Sequence, residues 1–210
     1  MERNFIDGYT EWQTNPEIVA VNKLPQHATL MPYENFDEAK KADRYASTRS
    51  KLLNGKSKFK LYKNNAYRPS DFAQPHYDSH NWDSVIVPCS WQMQGYDQAQ
   101  YCNVRYPWEG SEDICPPNAP TKHNPVGCYL KRIHINEAVL SKRVVLCFEG
   151  VESAFYLYVN GERVGYSEST FNRSEFDISR YLVEGSNVIG VEVYRWCTGS
   201  WLECQDMWRL

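Results

Sequence analysis

The sequence predicts an all-β fold, an antiparallel β-sandwich of jelly-roll type with an irregular N-terminal arm and one short helix. Three observations lead to this prediction. Short β-branched and aromatic runs follow one another through the second half of the chain. An Asn-Gly pair at residues 160–161 separates two such runs and supplies the positive φ angles of a type I′ hairpin turn. Long amphipathic helical patterns are missing between the runs, which excludes a parallel sheet with crossover helices.

The two halves of the chain predict different structures. Residues 1–50 are interrupted by prolines and carry scattered apolar residues, so they predict an arm that lies across the domain surface or reaches a neighbouring subunit. The predicted anchors of this arm are Trp12, Ile18, Val19, Val21 and Leu30. The segment Glu34 to Tyr45 is the predicted helix, because its acidic residues come first and its basic residues later. Residues 51–210 form the predicted sandwich domain.

The predicted strands of the sandwich domain are short and unevenly spaced. They cover residues 59–62, 82–88, 129–135, 144–148, 155–159, 162–166, 176–178 and 187–193. Between the second and third of them, residues 89–126 show little periodicity and contain five prolines. Loops of this length in a compact domain are usually functional or interfacial.

Composition limits the function further. The net charge of −3 and the dispersed Lys and Arg residues argue against a nucleic-acid partner. The chain contains no apolar run long enough for a membrane span and no signal-peptide pattern, so we expect no membrane partner and a cytoplasmic protein. The seven cysteines are odd in number and lack metal-ligand spacing, which favours free thiols that act as small buried hydrophobes. The five histidines likewise share no ligand spacing.

The segment from Tyr194 to Leu210 concentrates three tryptophans, two carboxylates, an amide and two arginines. Apolar walls with a few fixed polar groups are what a sugar pocket requires, because sugars present C–H faces and a fringe of hydroxyls. Trp196 and Trp201 flank three small residues that suit a turn. We expect most of the tryptophans (Trp91, Trp196, Trp201 and Trp208) to be packed rather than stacked on a ligand.

Four runs in this sequence resemble, in the same order, the N-terminal sugar-binding domain of the β-galactosidases of glycoside hydrolase family 2. They are Val87 to Asp97 (Val-Pro-Cys-Ser-Trp-Gln-Met-Gln-Gly-Tyr-Asp), Tyr101 to Pro107 (Tyr-Cys-Asn-Val-Arg-Tyr-Pro), Gly150 to Phe155 and Gly199 to Arg209 (Gly-Ser-Trp-Leu-Glu-Cys-Gln-Asp-Met-Trp-Arg). The resemblance implies a galactose-binding-domain-like jelly roll. It also implies that the acid/base and nucleophile are glutamates of a later TIM barrel, absent here with the other later domains, and that the reaction retains the anomeric configuration.

The resemblance implies two substrate-binding residues and two metal ions. Asp206 reaches the galactose hydroxyls and helps to hold a sodium ion beside the sugar, and Asn103 bonds the sugar through its amide; magnesium is also expected for the parent enzyme. On spacing alone, Asp206 could instead be paired with Arg209 or Arg195, and Asn103 could be a turn residue. Glu203 is close to Asp206 in sequence, but we interpret it as structural. The family frequently has Asp where Cys204 stands, so this chain lacks a carboxylate at that position.

The predicted function is therefore that of a non-catalytic domain, inactive alone, which contributes galactose-binding residues and subunit contacts to a larger β-galactosidase acting as a homo-oligomer. Three alternatives remain. The chain could be a free-standing carbohydrate-binding module or a pure assembly domain. It could also be the equivalent domain of a family 2 β-glucuronidase or β-mannosidase.

Overall fold

The computed structural model describes residues 11–100 and 102–204. Nine strands dominate this part of the chain: β1 (Ala20–Val21), β2 (Gly55–Tyr62), β3 (Asp83–Val87), β4 (Val126–Ile135), β5 (Val145–Phe148), β6 (Ala154–Val159), β7 (Glu162–Ser167), β8 (Ser174–Asp177) and β9 (Gly185–Tyr194). The helices are short: α1 (Glu11–Thr14), α2 (Phe36–Lys40), α3 (Glu137–Leu140) and α4 (Ser200–Glu203), with 3₁₀ turns at Asn65–Tyr67, Trp91–Gln94 and Ser179–Tyr181. The all-β prediction is confirmed.

Seven strands form one antiparallel sheet in the order β1-β7-β6-β9-β4-β2-β3, and β5 pairs with β8 in a second, two-stranded sheet. The longest ladder joins β4 and β9, from Val126 opposite Tyr194 to Ile135 opposite Gly185. The predicted β6–β7 hairpin is confirmed. Asn160 and Gly161 have φ angles of 53° and 86°, as a type I′ turn requires.

Both faces of the large sheet are buried. Along β6, Phe155, Leu157 and Val159 point to one face, while Tyr156 and Tyr158 point to the other, because side chains alternate along a strand. The small sheet covers the first face with Phe176 and its neighbours, which forms the sandwich. The second face is covered by loops and by the N-terminal segment, through Trp12, Phe72, Ala73, Trp82, Ala119 and Cys197.

The N-terminal segment is held more closely than its sequence predicts. Trp12 is 2% exposed and stacks on Tyr194 with ring centroids 4.4 Å apart. Val21 is partly buried, and its strand β1 extends the sheet at β7. The prediction that Ile18, Val19 and Leu30 act as anchors is wrong, since all three are exposed.

The predicted helix from residue 34 to 45 is confirmed only at its centre, as α2. Asn35 caps its N-terminus by accepting a hydrogen bond from the Glu38 N–H at 2.9 Å. Ala42 has a φ of 51°, a left-handed conformation that stops the helix early. This five-residue helix is the longest in the described ranges, far shorter than a membrane crossing requires.

A side chain, that of Gln94, occupies part of the free hydrogen-bonding edge of β3. The Gln94 amide accepts a hydrogen bond from the Ile86 N–H at 2.7 Å and donates one to the Ile86 carbonyl at 3.1 Å. These are the two main-chain groups that an added strand would use. Gln94 therefore takes the place of a neighbouring strand at this position.

All seven cysteines lie within the described ranges and are free thiols. Only Cys128 and Cys197 are buried, so the prediction of buried thiols is wrong for Cys89, Cys115 and Cys147, which are exposed. The exposed three lie on loops or on β5, where the chain is not covered by other elements.

Candidate functional site

Asn103 lies in the irregular segment between the 3₁₀ turn at residues 91–94 and β4, and it is exposed. The Gln100 side chain closes the base of its loop by donating a hydrogen bond to the Pro107 carbonyl at 2.9 Å. An exposed amide on a closed loop is available to a ligand. Asp206, the second predicted site residue, lies outside the described residues, as does Trp208.

A cluster of four aromatic residues, which we call the aromatic clamp, fixes the loop of Asn103 against the C-terminal segment. It consists of Tyr106, Trp108, Trp196 and Trp201. Tyr106 stacks on Trp108 with centroids 5.1 Å apart and meets the Trp201 ring edge-on at 4.5 Å. Its hydroxyl donates a hydrogen bond to the Trp201 carbonyl at 2.9 Å. The clamp therefore joins the segment that carries residue 103 to the one that leads to residue 206.

The tryptophans serve mainly in packing, as predicted. Trp91 and Trp196 are 5% and 7% exposed, and Trp108 is 1% exposed. Trp201 is partly exposed, but its indole N–H donates to the Asn118 carbonyl at 2.9 Å, which orients the ring. At this exposure Trp91 and Trp196 offer little ring surface on which a sugar could stack.

The buried carboxylate of Glu168 accepts a hydrogen bond from the turn that precedes α4. Glu168 is 4% exposed and accepts hydrogen bonds from the Tyr166 hydroxyl at 2.5 Å, the Thr198 hydroxyl at 3.0 Å and the Gly199 N–H at 3.2 Å. Burial raises the pKa of the Glu168 carboxyl, although these hydrogen bonds favour the charged form. The carboxylate thus ties the end of β7 to the turn from which the C-terminal segment departs.

Glu203 makes structural contacts, as its sequence context predicts. Its carboxylate accepts hydrogen bonds from the Thr170 N–H at 3.1 Å and the Thr170 hydroxyl at 2.7 Å. Both carboxylate oxygens are thereby occupied within the domain. Glu203 is poorly placed to act as a nucleophile or general acid.

Arg195 has a partner within the described residues. It forms an ion pair with Asp97, donates to the Gln98 carbonyl at 3.1 Å and lies 4.6 Å from the centroid of the Trp196 ring. Asp97, Arg195 and Trp196 line a cleft of about 360 Å³. The alternative pairing of Arg195 with Asp206 lies outside the described residues.

A second buried carboxylate, Glu192, was missed by sequence reasoning. It is fully buried on β9 and pairs with the Arg68 guanidinium at 2.7 Å. The hydroxyls of Tyr158 and Tyr194 also donate to it, the former at 3.1 Å. The alternation Val191-Glu192-Val193 suggests a solvent-facing Glu192. No sequence signal indicates that the second sheet face is covered as well.

Metal-ligating side chains do not gather in the described ranges. Within residues 11–100 and 102–204, no three of the His, Cys, Asp and Glu side chains form a group able to hold an ion. His27, for example, contacts the Ala28 carbonyl and the Glu175 carboxylate, each at 2.7 Å.

The model of the family described as "Glycosyl hydrolases family 2, sugar binding domain" matches residues 50–210. The chain belongs to glycosyl hydrolase family 2. The match includes the loop of Asn103, the aromatic clamp and α4, together with position 206.

The curated relatives of this family 2 domain carry the name β-galactosidase. The protein from Priestia megaterium is 50% identical over 204 residues, which cover 97% of this chain and 20% of the relative. The protein from Clostridium acetobutylicum is 43% identical, covering 95% of this chain and 22% of the relative. The β-galactosidase large subunit of Lactobacillus helveticus is 41% identical, covering 94% and 33%. The family 2 domain thus spans about a fifth to a third of these relatives.

Solved structures support the fold. A β-glucuronidase from Lactobacillus rhamnosus matches with a TM-score of 0.50 and 20% identity, covering 68% of this chain and 20% of that one. A Ruminococcus gnavus β-glucuronidase with a C6-substituted uronic isofagomine gives a TM-score of 0.50 at 18% identity, covering 68% and 21%. At these identities the similarity concerns architecture and carries no information on substrate.

Proposed function

We propose that this chain is the N-terminal, non-catalytic domain of a retaining β-galactosidase that hydrolyses terminal β-D-galactosides. The observation that carries the proposal is the 50% identity, over 97% of the chain, to a protein named β-galactosidase. The matched β-glucuronidase structures are no more than about 20% identical, so they do not favour a glucuronide.

In this proposal Asn103 and Asp206 contribute one wall of the sugar pocket. An amide donates and accepts at once, and a carboxylate accepts from two hydroxyls, so the pair is suited to adjacent hydroxyls of a sugar. The exposure of Asn103 supports this role, and so does the aromatic clamp, which fixes its loop against the segment that leads toward residue 206. Groups held in advance lose less entropy when a sugar binds.

The proposed sodium ion suits the donor chemistry of this wall. A carboxylate oxygen of Asp206 is a hard donor of the kind that alkali and alkaline-earth cations prefer. Asp206 provides only part of a coordination shell, so in this proposal later domains would supply the remaining sodium ligands. The same holds for the expected magnesium. A bound sodium ion would supply positive charge next to the sugar hydroxyls.

Catalysis itself belongs to the rest of the polypeptide. Retention requires two carboxyl groups about 5 Å apart, one as nucleophile and one as acid/base. In this domain Glu203 is engaged by Thr170, while Glu168 and Glu192 are buried in hydrogen-bond networks. The isolated chain should therefore not turn over substrate. We further expect the full-length protein to be a cytoplasmic homo-oligomer with contacts from the N-terminal arm.

The test compares the full-length protein and the isolated chain on two chromogenic substrates, an o-nitrophenyl β-galactoside and a p-nitrophenyl β-glucuronide. We expect galactoside hydrolysis by the full-length protein, with product trapped by methanol as the β-methyl galactoside, and no turnover by the chain. Preference for the glucuronide would overturn the substrate assignment. Sustained turnover by the chain would overturn its non-catalytic role.

The same material tests the alternative of a free-standing binding module. Calorimetric titration of the isolated chain with a galactoside should show weak binding or none, because one wall of a pocket cannot offset the cost of immobilising a sugar. Submillimolar binding would instead favour the binding module.

A further inference from the structure

Three strongly exposed apolar side chains lie on segments that contact α4. Phe171 is 85% exposed, Leu202 81% and Val104 80%. Scattered apolar residues on a surface need no explanation, but a concentrated group marks an interaction site.

Hydrogen bonds place them on adjoining segments. Thr170, next to Phe171, is held by the carboxylate of Glu203, next to Leu202, at 3.1 Å and 2.7 Å. Tyr106 lies two residues after Val104, and its hydroxyl donates a hydrogen bond to the carbonyl of Trp201, next to Leu202, at 2.9 Å. The loop of Val104, helix α4 and the turn of Phe171 are therefore directly connected.

The turn that presents Phe171 is held in an unusual conformation. Ser169 has a φ of 80°, which a non-glycine residue rarely adopts. The Asn172 side chain donates to the Ser169 hydroxyl at 2.6 Å, and the Asn172 N–H donates to the Ser169 carbonyl at 3.3 Å. With Thr170 fixed by Glu203, the turn projects an aromatic ring into solvent on a rigid base. Such strained positions concentrate at functional sites.

We propose that Phe171, Leu202 and Val104 form a docking surface for the later part of the same polypeptide, on which the domain that follows residue 210 is seated. The proposal rests on that part of the proposed function which places this chain in a longer protein, and not on the sugar chemistry. Two observations identify the later part of the polypeptide as the occupant of this surface. The chain spans about a fifth of the length of two of its relatives, so most of each relative lies outside the matched part. In addition, the polypeptide continues from α4, the element at the centre of the surface.

The chemistry of the surface indicates what it meets. One aromatic and two aliphatic side chains fit apolar pockets, and rigid aromatic anchors commonly supply most of the energy of an interface. Thr170 donates to the neighbouring carboxylate of Glu203 but carries no charge, so Glu203, which is exposed in this domain, must stay at the solvent-facing rim of the contact. Asn103 precedes Val104, so docking here would bring the proposed sugar-binding loop to the edge of the contact.

Hydroxyl-radical footprinting of the full-length protein tests the proposal. Relative to intrinsic side-chain reactivity, we expect Phe171 and Leu202 to be oxidised at least fivefold more slowly than Tyr67 and Leu52, which are 65% and 62% exposed in this domain and lie outside the N-terminal arm. Equal rates within each matched pair would overturn the proposal. Protection that disappears when the protein is diluted to monomers would also overturn it, by assigning the surface to a second copy.

A variant experiment provides an independent readout. In full-length F171S/L202S, mild proteolysis should release the N-terminal domain at least fivefold faster than in wild type, whereas Y67S, at an exposed position outside the arm, should release it at the wild-type rate. An unchanged release rate in F171S/L202S would contradict the proposal even if the footprint agreed. Loss of galactoside hydrolysis is not used as a readout, so failure of the proposed function and failure of docking remain distinguishable.

Discussion

Replacement of Arg68 by Met should severely destabilise the domain, because it leaves the Glu192 carboxylate buried without its counter-ion. The two side chains are 7% and 0% exposed, and their closest atoms are 2.7 Å apart. Two tyrosine hydroxyls still donate to Glu192 in the variant, but neither carries a positive charge. Methionine keeps the length and the apolar stem of arginine, so the loss of packing is small.

The expected magnitude follows from the burial of both partners. Removal of one partner of a buried ion pair costs about 3–5 kcal/mol, and solvent screening does not reduce it here. This is a large share of a total stability that is typically about 5–15 kcal/mol. The double variant Arg68→Met/Glu192→Gln should recover part of the loss, since a neutral amide of similar volume removes the unpaired charge and still accepts hydrogen bonds from the tyrosine hydroxyls.

Urea unfolding of the chain, followed by tryptophan fluorescence, measures these free energies of unfolding. Arg143→Met is the matched control. Arg143 also pairs with a carboxylate at 2.8 Å, that of Asp177, but the side chains are 64% and 39% exposed, so its loss should cost less than about 1 kcal/mol. A cost below about 1 kcal/mol for Arg68→Met, or no recovery in the double variant, would refute the reasoning.

Three further predictions concern the arm, the proposed sugar site and a histidine. Trp12→Ala should lower the free energy of unfolding in urea by about 3–5 kcal/mol, because a fully packed ring is lost from the core. In the full-length protein, Asp206→Asn should lower kcat/KM for a β-galactoside about ten- to a hundredfold, and Asn103→Ala about three- to tenfold, from typical charged and neutral hydrogen-bond energies. The Ala28 carbonyl and the Glu175 carboxylate raise the pKa of His27, so its contribution to stability should be complete below about pH 6.5 and lost as pH rises through its folded-state pKa, with an NMR titration midpoint above 6.5.

Each of these has its own control. Ile18→Ala, at a position 37% exposed, should cost far less than Trp12→Ala, and similar costs would contradict a core role for the arm. Glu184→Gln changes an exposed acid that precedes β9, at the end of that strand opposite the C-terminal segment, and should leave kcat/KM unchanged; an equal fall in all three variants would argue against specific sugar contacts. A His27 midpoint at or below 6.5, or a pH profile of stability unchanged by His27→Gln, would contradict the third prediction.

Local chemistry made much of the sheet predictable. Asn160-Gly161 specified its turn because few dipeptides accept two positive φ angles. The strands around it were predicted from β-branched and aromatic runs. The helix at residue 34 was predicted too long, because its end depends on the left-handed Ala42, which no residue-type preference indicates.

The features that escaped prediction depend on contacts distant in sequence. Trp12 is in the core because it meets Tyr194, more than 180 residues away along the chain. Glu192 occupies an outward position of an alternating strand, yet it is buried because loops cover that face. For the candidate site, the family motifs singled out Asn103 and Asp206, but the aromatic clamp and Glu168 became evident only from three-dimensional contacts. The roles of Asn103 and Asp206 stay predictions.

The double coverage of the large sheet has a consequence for recognition. A sheet with one bare side can receive a carbohydrate across its strands, as a flat platform. Here both sides are occupied by the protein's own side chains. A ligand must therefore bind at the edge of the sandwich, on the loops that connect the strands. Substitutions in these loops can change ligand specificity without disturbing the sheets that carry them.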